Sequence, residues 1–292
     1  MKSNIQSSAG FSFGRFAAYF RLYVMANKRK LLLAVSQILI ITFILFIFGL
    51  YTGGKESYET IAAMGGAQDI DPMWGSCNMI MVLMSFVVAA LAGSWMYSSV
   101  SAKHTRLMTF EIPAAQSEKF LTWWLIYVPG FFIAMFLCFY LTDVLRVLWI
   151  MAGTDYGDYA HIIPLGSMLT FSYPSPYDSF SQNAAQTLLI VMSYGVLFNL
   201  NALFSLGNIF FHKLSFLKTS ACLFVLMIVF SIITQIGFKV FFPGDNIELT
   251  QRISEDSAGA PWVFGTIFAI MGLFFYWLGY ARYKETEIVN RW

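Results

Sequence analysis

Long apolar runs divide this chain, and the polar stretches between them are short. Six runs are long enough to cross a bilayer as helices: Leu31–Tyr51, Met79–Val100, Leu121–Met151, Gln186–Phe211, Leu214–Phe242 and Trp262–Tyr283. A spanning helix needs ~20 mostly apolar residues, because hydrocarbon offers the backbone no hydrogen-bond partner. The fourth and fifth runs are separated only by "FHKLS", which predicts a tightly paired helical hairpin. Ahead of the first run, "FGRFAAYFRLYVMANKRK" has a different period. Wound as a helix, it puts Phe16, Tyr19, Phe20, Tyr23 and Val24 on one side, with Arg15, Arg21 and Lys28 towards the other. That pattern predicts a helix in the interface plane, aromatics in the acyl boundary and cations among lipid phosphates. The expected architecture is an all-α membrane protein. An amphipathic cytoplasmic helix over 1–30 precedes a six-span domain over 31–292.

Composition strengthens this reading. The 292 residues are 58% hydrophobic and only 12% charged, about half the charge of a soluble globular domain. Direction follows from lysine and arginine, which are retained on the cytoplasmic side. Taking alternate polar segments, one set carries fourteen Lys and Arg and the other carries three, with Arg146 inside the third run. Both termini are therefore expected inside, in the cytoplasmic (inner) membrane. The second outer segment, "GTDYGDYAHIIPLGSMLTFSYPSPYDSF", is long and rich in proline and aromatics. It could fold over the outer mouth or lie in the headgroup layer.

Several chemistries find no footing. A net charge of +2 gives nucleic acid no basic surface. Cys77, Cys138 and Cys222 are far apart in sequence and form no disulfide or thiolate-metal pattern. His104, His161 and His212 all fall in polar segments, so no haem or zinc set converges within the spans. The stretch "TGGKES" sets Gly beside Lys, but Glu56 stands where a phosphate loop needs Ser or Thr. This chain is accordingly expected to bind no cofactor and to be no enzyme itself.

Polar residues inside the runs are the remaining candidates. Asp143 and Arg146, three apart near the outer end of the third run, read as a surface ion pair that ends the span, with a transport role as the alternative. Asn201, Ser205 and Asn208 form one stripe on the fourth run, and Ser231 and Gln235 lie four apart on the fifth. Amides in such places bond across helices or line a translocation route, and both readings stay open. Ser85, Ala89 and Gly93 make a small-residue face for close helix packing, within the subunit or across a dimer.

The densest charge in the chain surrounds a lone proline, in "SAKHTRLMTFEIPAAQSEKF". Pro113 disfavours helix at Ile112 and suits the first turn of a new one. Ser117 is then the expected cap of the third span, with Glu118 in its first turn. Ile112, Pro113, Ala114, Ala115, Glu118, Lys119 and Phe120 resemble a motif near L-P-A-S-x-x-E-K-F. That motif belongs to the type-2 permease family of ABC exporters; Ala115 stands where the family often has serine. The segments "LGNIFFHKLSFLKT" and "YARYKETEIVNRW" are also similar to bacterial permeases of this kind.

The resemblance implies the membrane subunit of an ATP-driven exporter. Two such subunits, identical or not, would pair with two ABC ATPase chains that hold ATP and magnesium. It also implies that Arg106, Glu111, Pro113, Glu118, Lys119 and Phe120 dock the ATPase, beside a leading helix marked by Arg15, Phe16, Phe20, Arg21 and Tyr23. Two rival functions share this topology: a membrane enzyme acting on lipid or lipid-linked sugar, and a non-transporting scaffold or sensor subunit.

Overall fold

A computed structural model describes residues 11–63, 71–101, 109, 111–153, 157–170, 180–211, 214–241 and 260–289. These are mostly helical, with no strand among them. Four helices among the described residues are long and apolar enough to cross a membrane: Phe13–Thr60, Trp74–Val100, Gln116–Gly153 and Ile190–Phe210. They point to a membrane-embedded protein. The last two expected spans correspond to helices over Ser215–Phe241 and Ala260–Val289.

The chain divides into two compact units, one from Met1–Ala89 with Ile112–Asp178, the other from Ala90–Glu111 with Ser179–Trp292. In the first unit, α1 (Phe13–Gly49) runs without a break for 37 residues, about 55 Å at ~1.5 Å per residue. The leading helix and first span, expected as separate elements, are one. From Arg15 to Phe48 no Gly or Pro interrupts the sequence, and the basic cluster at Lys28–Lys30 carries no helix-ending signal. Tyr19, Tyr23, Ala34, Ile38, Thr42 and Phe46 form its buried stripe, while Leu32, Leu33, Ile40, Ile41, Ile44 and Phe48 face outward. A π-helical turn over Leu50–Gly54 leads into α2 (Lys55–Ala63). Gly53, Gly54 and Lys55 are thus helical, not a loop around phosphate.

α3 (Trp74–Trp95) begins in this unit and ends in the other. α5 (Gln116–Leu125) and α6 (Phe131–Gly153) are joined by a second π-helical turn, Ile126–Gly130, which contains Pro129. Proline has no N–H to give the helical ladder, and a widened turn accommodates that loss. α1 packs along both α5 and α6. After α6 come a 3-10 turn, Gly157–Tyr159, and the short α7 (Leu165–Thr170).

The second unit holds α4 (Ser98–Ser101), α8 (Phe180–Phe210), α9 (Ser215–Phe241) and α10 (Ala260–Val289). α8 and α9 pack from their connection onward, Phe204 stacking on Phe216 at 5.3 Å and Gly207 lying against Thr219. Leu214, at φ 53°, occupies the left-handed region as α9 begins. Gly93 of α3 lies directly against the Asn201 carbonyl of α8, and a Cβ there would also meet the Phe204 Cβ at 3.0 Å. Ser85 and Ala89, expected on the same small-residue face, are buried too.

Candidate functional site

The proline-centred stretch contains a helix start held from a distance. Ile112 to Ala115 are non-helical, and α5 begins at Gln116 with Ala115 as N-cap. Two expectations are corrected here: no helical turn begins at Pro113, and Ser117, already inside the helix, is not the cap. Alanine has no side-chain acceptor, so the carboxylate three residues on does the capping. Glu118 Oε2 accepts the Ala115 N–H at 2.9 Å, the reach-back half of a capping box. Its Oε1 accepts the Ser12 N–H at 2.8 Å and pairs with Arg15 Nη2 at 3.1 Å. One fully buried carboxylate thereby ties the start of α1 to the start of α5.

Further along, the Tyr23 and Tyr127 hydroxyls share a hydrogen bond of 3.3 Å. Tyr23, expected among lipid, is buried instead; the tyrosine edge of α1 meets protein. Phe16 and Phe20 stay half-buried with their rings 6.2 Å apart, and Arg21 is exposed. Of the remaining docking candidates, Glu111 and Pro113 are exposed, Phe120 is half-buried, and Lys119 is only 2% exposed. Arg106, along with His104 and His212, lies outside the described residues.

At the other end of the first unit sits a polar cluster that sequence reasoning assembled only in part. Asp143 and Arg146 do not form a surface pair ending the span. Both are wholly buried, together with Tyr58 and Asp71. Arg146 Nη2 lies 2.8 Å and Nε 2.9 Å from Asp143 Oδ1. Its Nη1 lies 3.0 Å from both Asp71 Oδ2 and the Tyr58 hydroxyl, and its Nη2 also donates to the His161 carbonyl at 3.1 Å. The planar fork of arginine allows these simultaneous bonds. Asp71 further accepts the Tyr58 hydroxyl at 3.0 Å, the Met73 N–H at 2.8 Å and the His161 N–H at 2.9 Å. Asp143 Oδ2 accepts the Ile163 N–H at 2.8 Å. The i,i+3 spacing of Asp143 and Arg146 signalled a pair; nothing local signalled Tyr58 or Asp71.

In the second unit the amide stripe is buried. Asn201 Oδ1 accepts the Tyr276 hydroxyl at 2.8 Å, and Asn208 donates to the Ser94 carbonyl. Ser205 bonds within its own helix, to Ala202 O at 2.8 Å. Asn199, not singled out from sequence, donates to Phe268 O at 2.8 Å. Ser231 is exposed, and the Gln235 side chain lies outside the described residues. Among the described residues no three His, Cys, Asp or Glu side chains gather as a metal site would require.

Comparison with known protein families, curated proteins and solved structures gives no match for this chain.

Proposed function

We propose that this chain is the membrane-spanning subunit of an ATP-driven exporter of the type-2 permease kind. In this reading it has six spans and both termini inside, and two such subunits work with a separate pair of ATPase chains. The observation that supports it best is the buried Glu118 carboxylate, which fastens the leading part of α1 and the proline turn into one rigid corner. A subunit that receives work from outside needs such a part: a polar surface for a motor, joined without slack to helices that cross the bilayer. Glu111 and Pro113 offer that surface, since they are exposed while Glu118 and Lys119 are buried. Glu118 and Arg15 hold the corner together behind it. The amide stripe on α8 then has an interhelical role, with Asn201 and Asn208 holding neighbouring helices.

The test is co-purification and reconstitution with candidate ABC ATPase chains from the same genome. A stable complex is expected, along with ATP hydrolysis that the permease chain stimulates. Glu111→Lys with Pro113→Ala should weaken the stimulation several-fold while the chain's thermal stability stays unchanged. Failure of any ATPase to bind, or nucleotide hydrolysis by this polypeptide alone, would overturn the reading.

A further inference from the structure

The buried ion cluster lies at a depth where charge is costly, and the backbone beside it explains why it is there. On α6 the outward-facing apolar stripe includes Ile133, Leu137, Leu141, Leu145, Leu148 and Met151, each 41% exposed or more. This stripe continues past Arg146 by five residues, or about 7 Å at ~1.5 Å per residue. The cluster is therefore level with the outer end of that apolar stripe, where Lys55, Glu56 and Glu59 are also exposed beside Tyr58 on α2. After α6 ends at Gly153 the chain comes back down. The Ile163 N–H reaches Asp143, ten residues before the end of the helix.

Residues 160–164 are irregular, and irregular backbone at membrane depth survives only where protein satisfies it. Three of its polar groups are satisfied by the cluster: His161 N–H by Asp71, His161 C=O by Arg146, and Ile163 N–H by Asp143. Ala160, Ile163 and Met168 turn inward and are buried. Ile162, Leu165 and Leu169 turn outward, 46%, 52% and 40% exposed.

We infer that residues 157–170 form a re-entrant ledge whose Ile162, Leu165 and Leu169 side chains rest among phospholipid acyl chains, in the leaflet at the Met151 end of α6. The Tyr58–Asp71–Asp143–Arg146 cluster supplies the hydrogen bonds that hydrocarbon cannot. Lipid is the occupant because the ledge continues the apolar face of α6 at the same depth. The inference rests on membrane embedding alone and does not depend on any ATPase.

Nitroxide labelling of the full chain in liposomes tests it. Cys77 and Cys138 are buried and Cys222 is exposed, so Cys222→Ser gives the background. Labels are then placed by Leu165→Cys, by Leu148→Cys as the lipid-facing reference, and by Glu285→Cys, exposed beyond the last expected span, as the water-facing one. The label at 165 should collide with oxygen in preference to a water-soluble nickel chelate, at a ratio near that at 148 and several-fold above that at 285. A nickel-accessible label at 165, with 148 still lipid-like, overturns the ledge. A label at 165 shielded from both reagents also overturns it, since protein such as a second copy would then cover the site. If 148 is itself nickel-accessible, membrane embedding fails and the ledge with it. Adding Arg146→Met should raise nickel collisions at 165, and an unchanged ratio overturns the role given to the cluster.

Discussion

Replacing Arg146 with methionine keeps the unbranched apolar stem and removes the guanidinium. Five contacts between 2.8 and 3.1 Å vanish, to Asp143 twice, Asp71, Tyr58 and the His161 carbonyl. Two wholly buried carboxylates are left facing each other's charge without the cation between them. Breaking a buried ion pair from one side costs about 3–5 kcal/mol, because the partner charge stays desolvated. Each buried acceptor that loses its donor adds about 1–3 kcal/mol, not additively. A loss of about 4 kcal/mol is expected, roughly 10³-fold in the folding equilibrium.

The triple variant Asp71→Asn, Asp143→Asn, Arg146→Met removes all three charges and leaves one acceptor oxygen at each of 71 and 143, enough for the Ile163 N–H and for one of the Met73 and His161 N–H groups. It should recover at least half of that loss. The assay is reversible detergent unfolding of the purified full chain, paired with the alkylation rate of Cys77, which is fully buried beside the cluster. Faster alkylation in the single variant and slower in the triple would follow the same order. A single-variant cost under ~1 kcal/mol, or a triple variant less stable than the single, would refute the view that a desolvated charge balance holds this end of the unit.

Three further outcomes follow from the geometry. Glu118→Ala removes the acceptor for Ser12 N–H, Ala115 N–H and Arg15 and should cost about 2 kcal/mol. Hydrogen exchange should quicken at both helix starts, whereas Ser117→Ala should change neither quantity. Gly93→Val sets a branched side chain against the Asn201 carbonyl and Phe204; a loss of about 1–3 kcal/mol is expected in the same unfolding assay. Tyr276→Phe deletes one hydrogen bond to Asn201 and should cost only about 1 kcal/mol, with no change in helix content by circular dichroism.

Local pattern made some of this legible and missed the rest for a definable reason. The helical character, the buried amide stripe and the break around Pro113 are all written in short-range spacing. An amide among apolar neighbours on one helix face needs an inward partner, whichever residue that proves to be. What spacing cannot name is the partner. Tyr276 lies 75 residues from Asn201, and Ser12 lies 106 residues from Glu118. The helix start lies at Gln116 and not in the proline turn because Glu118 caps the Ala115 N–H, and the same carboxylate is shared with that distant segment. The uninterrupted α1 was legible in principle, since no Gly or Pro occurs between Arg15 and Phe48. The basic residues at 28–30 suggested a boundary, but charge marks depth in a membrane without bending a helix.

The same logic accounts for where this chain keeps its buried charges. With 12% charged residues, it buries few of them, and of the five described, all but Lys119 adjoin backbone that cannot satisfy itself. Glu118 stands at a helix start, where the first N–H groups lack intrahelical acceptors, and accepts two backbone donors there. Asp71, Asp143 and Arg146 stand beside 160–164, where the ladder is absent, and supply two acceptors and a donor. A regular helix in hydrocarbon needs no such help, and the outward-facing parts of α1 from Leu32 to Phe48 and of α6 carry none. In a chain of this composition, a charge on an apolar helix is therefore a pointer to irregular backbone folded against it. The position of Arg146 on α6, level with the ledge at residues 157–170, follows from that requirement.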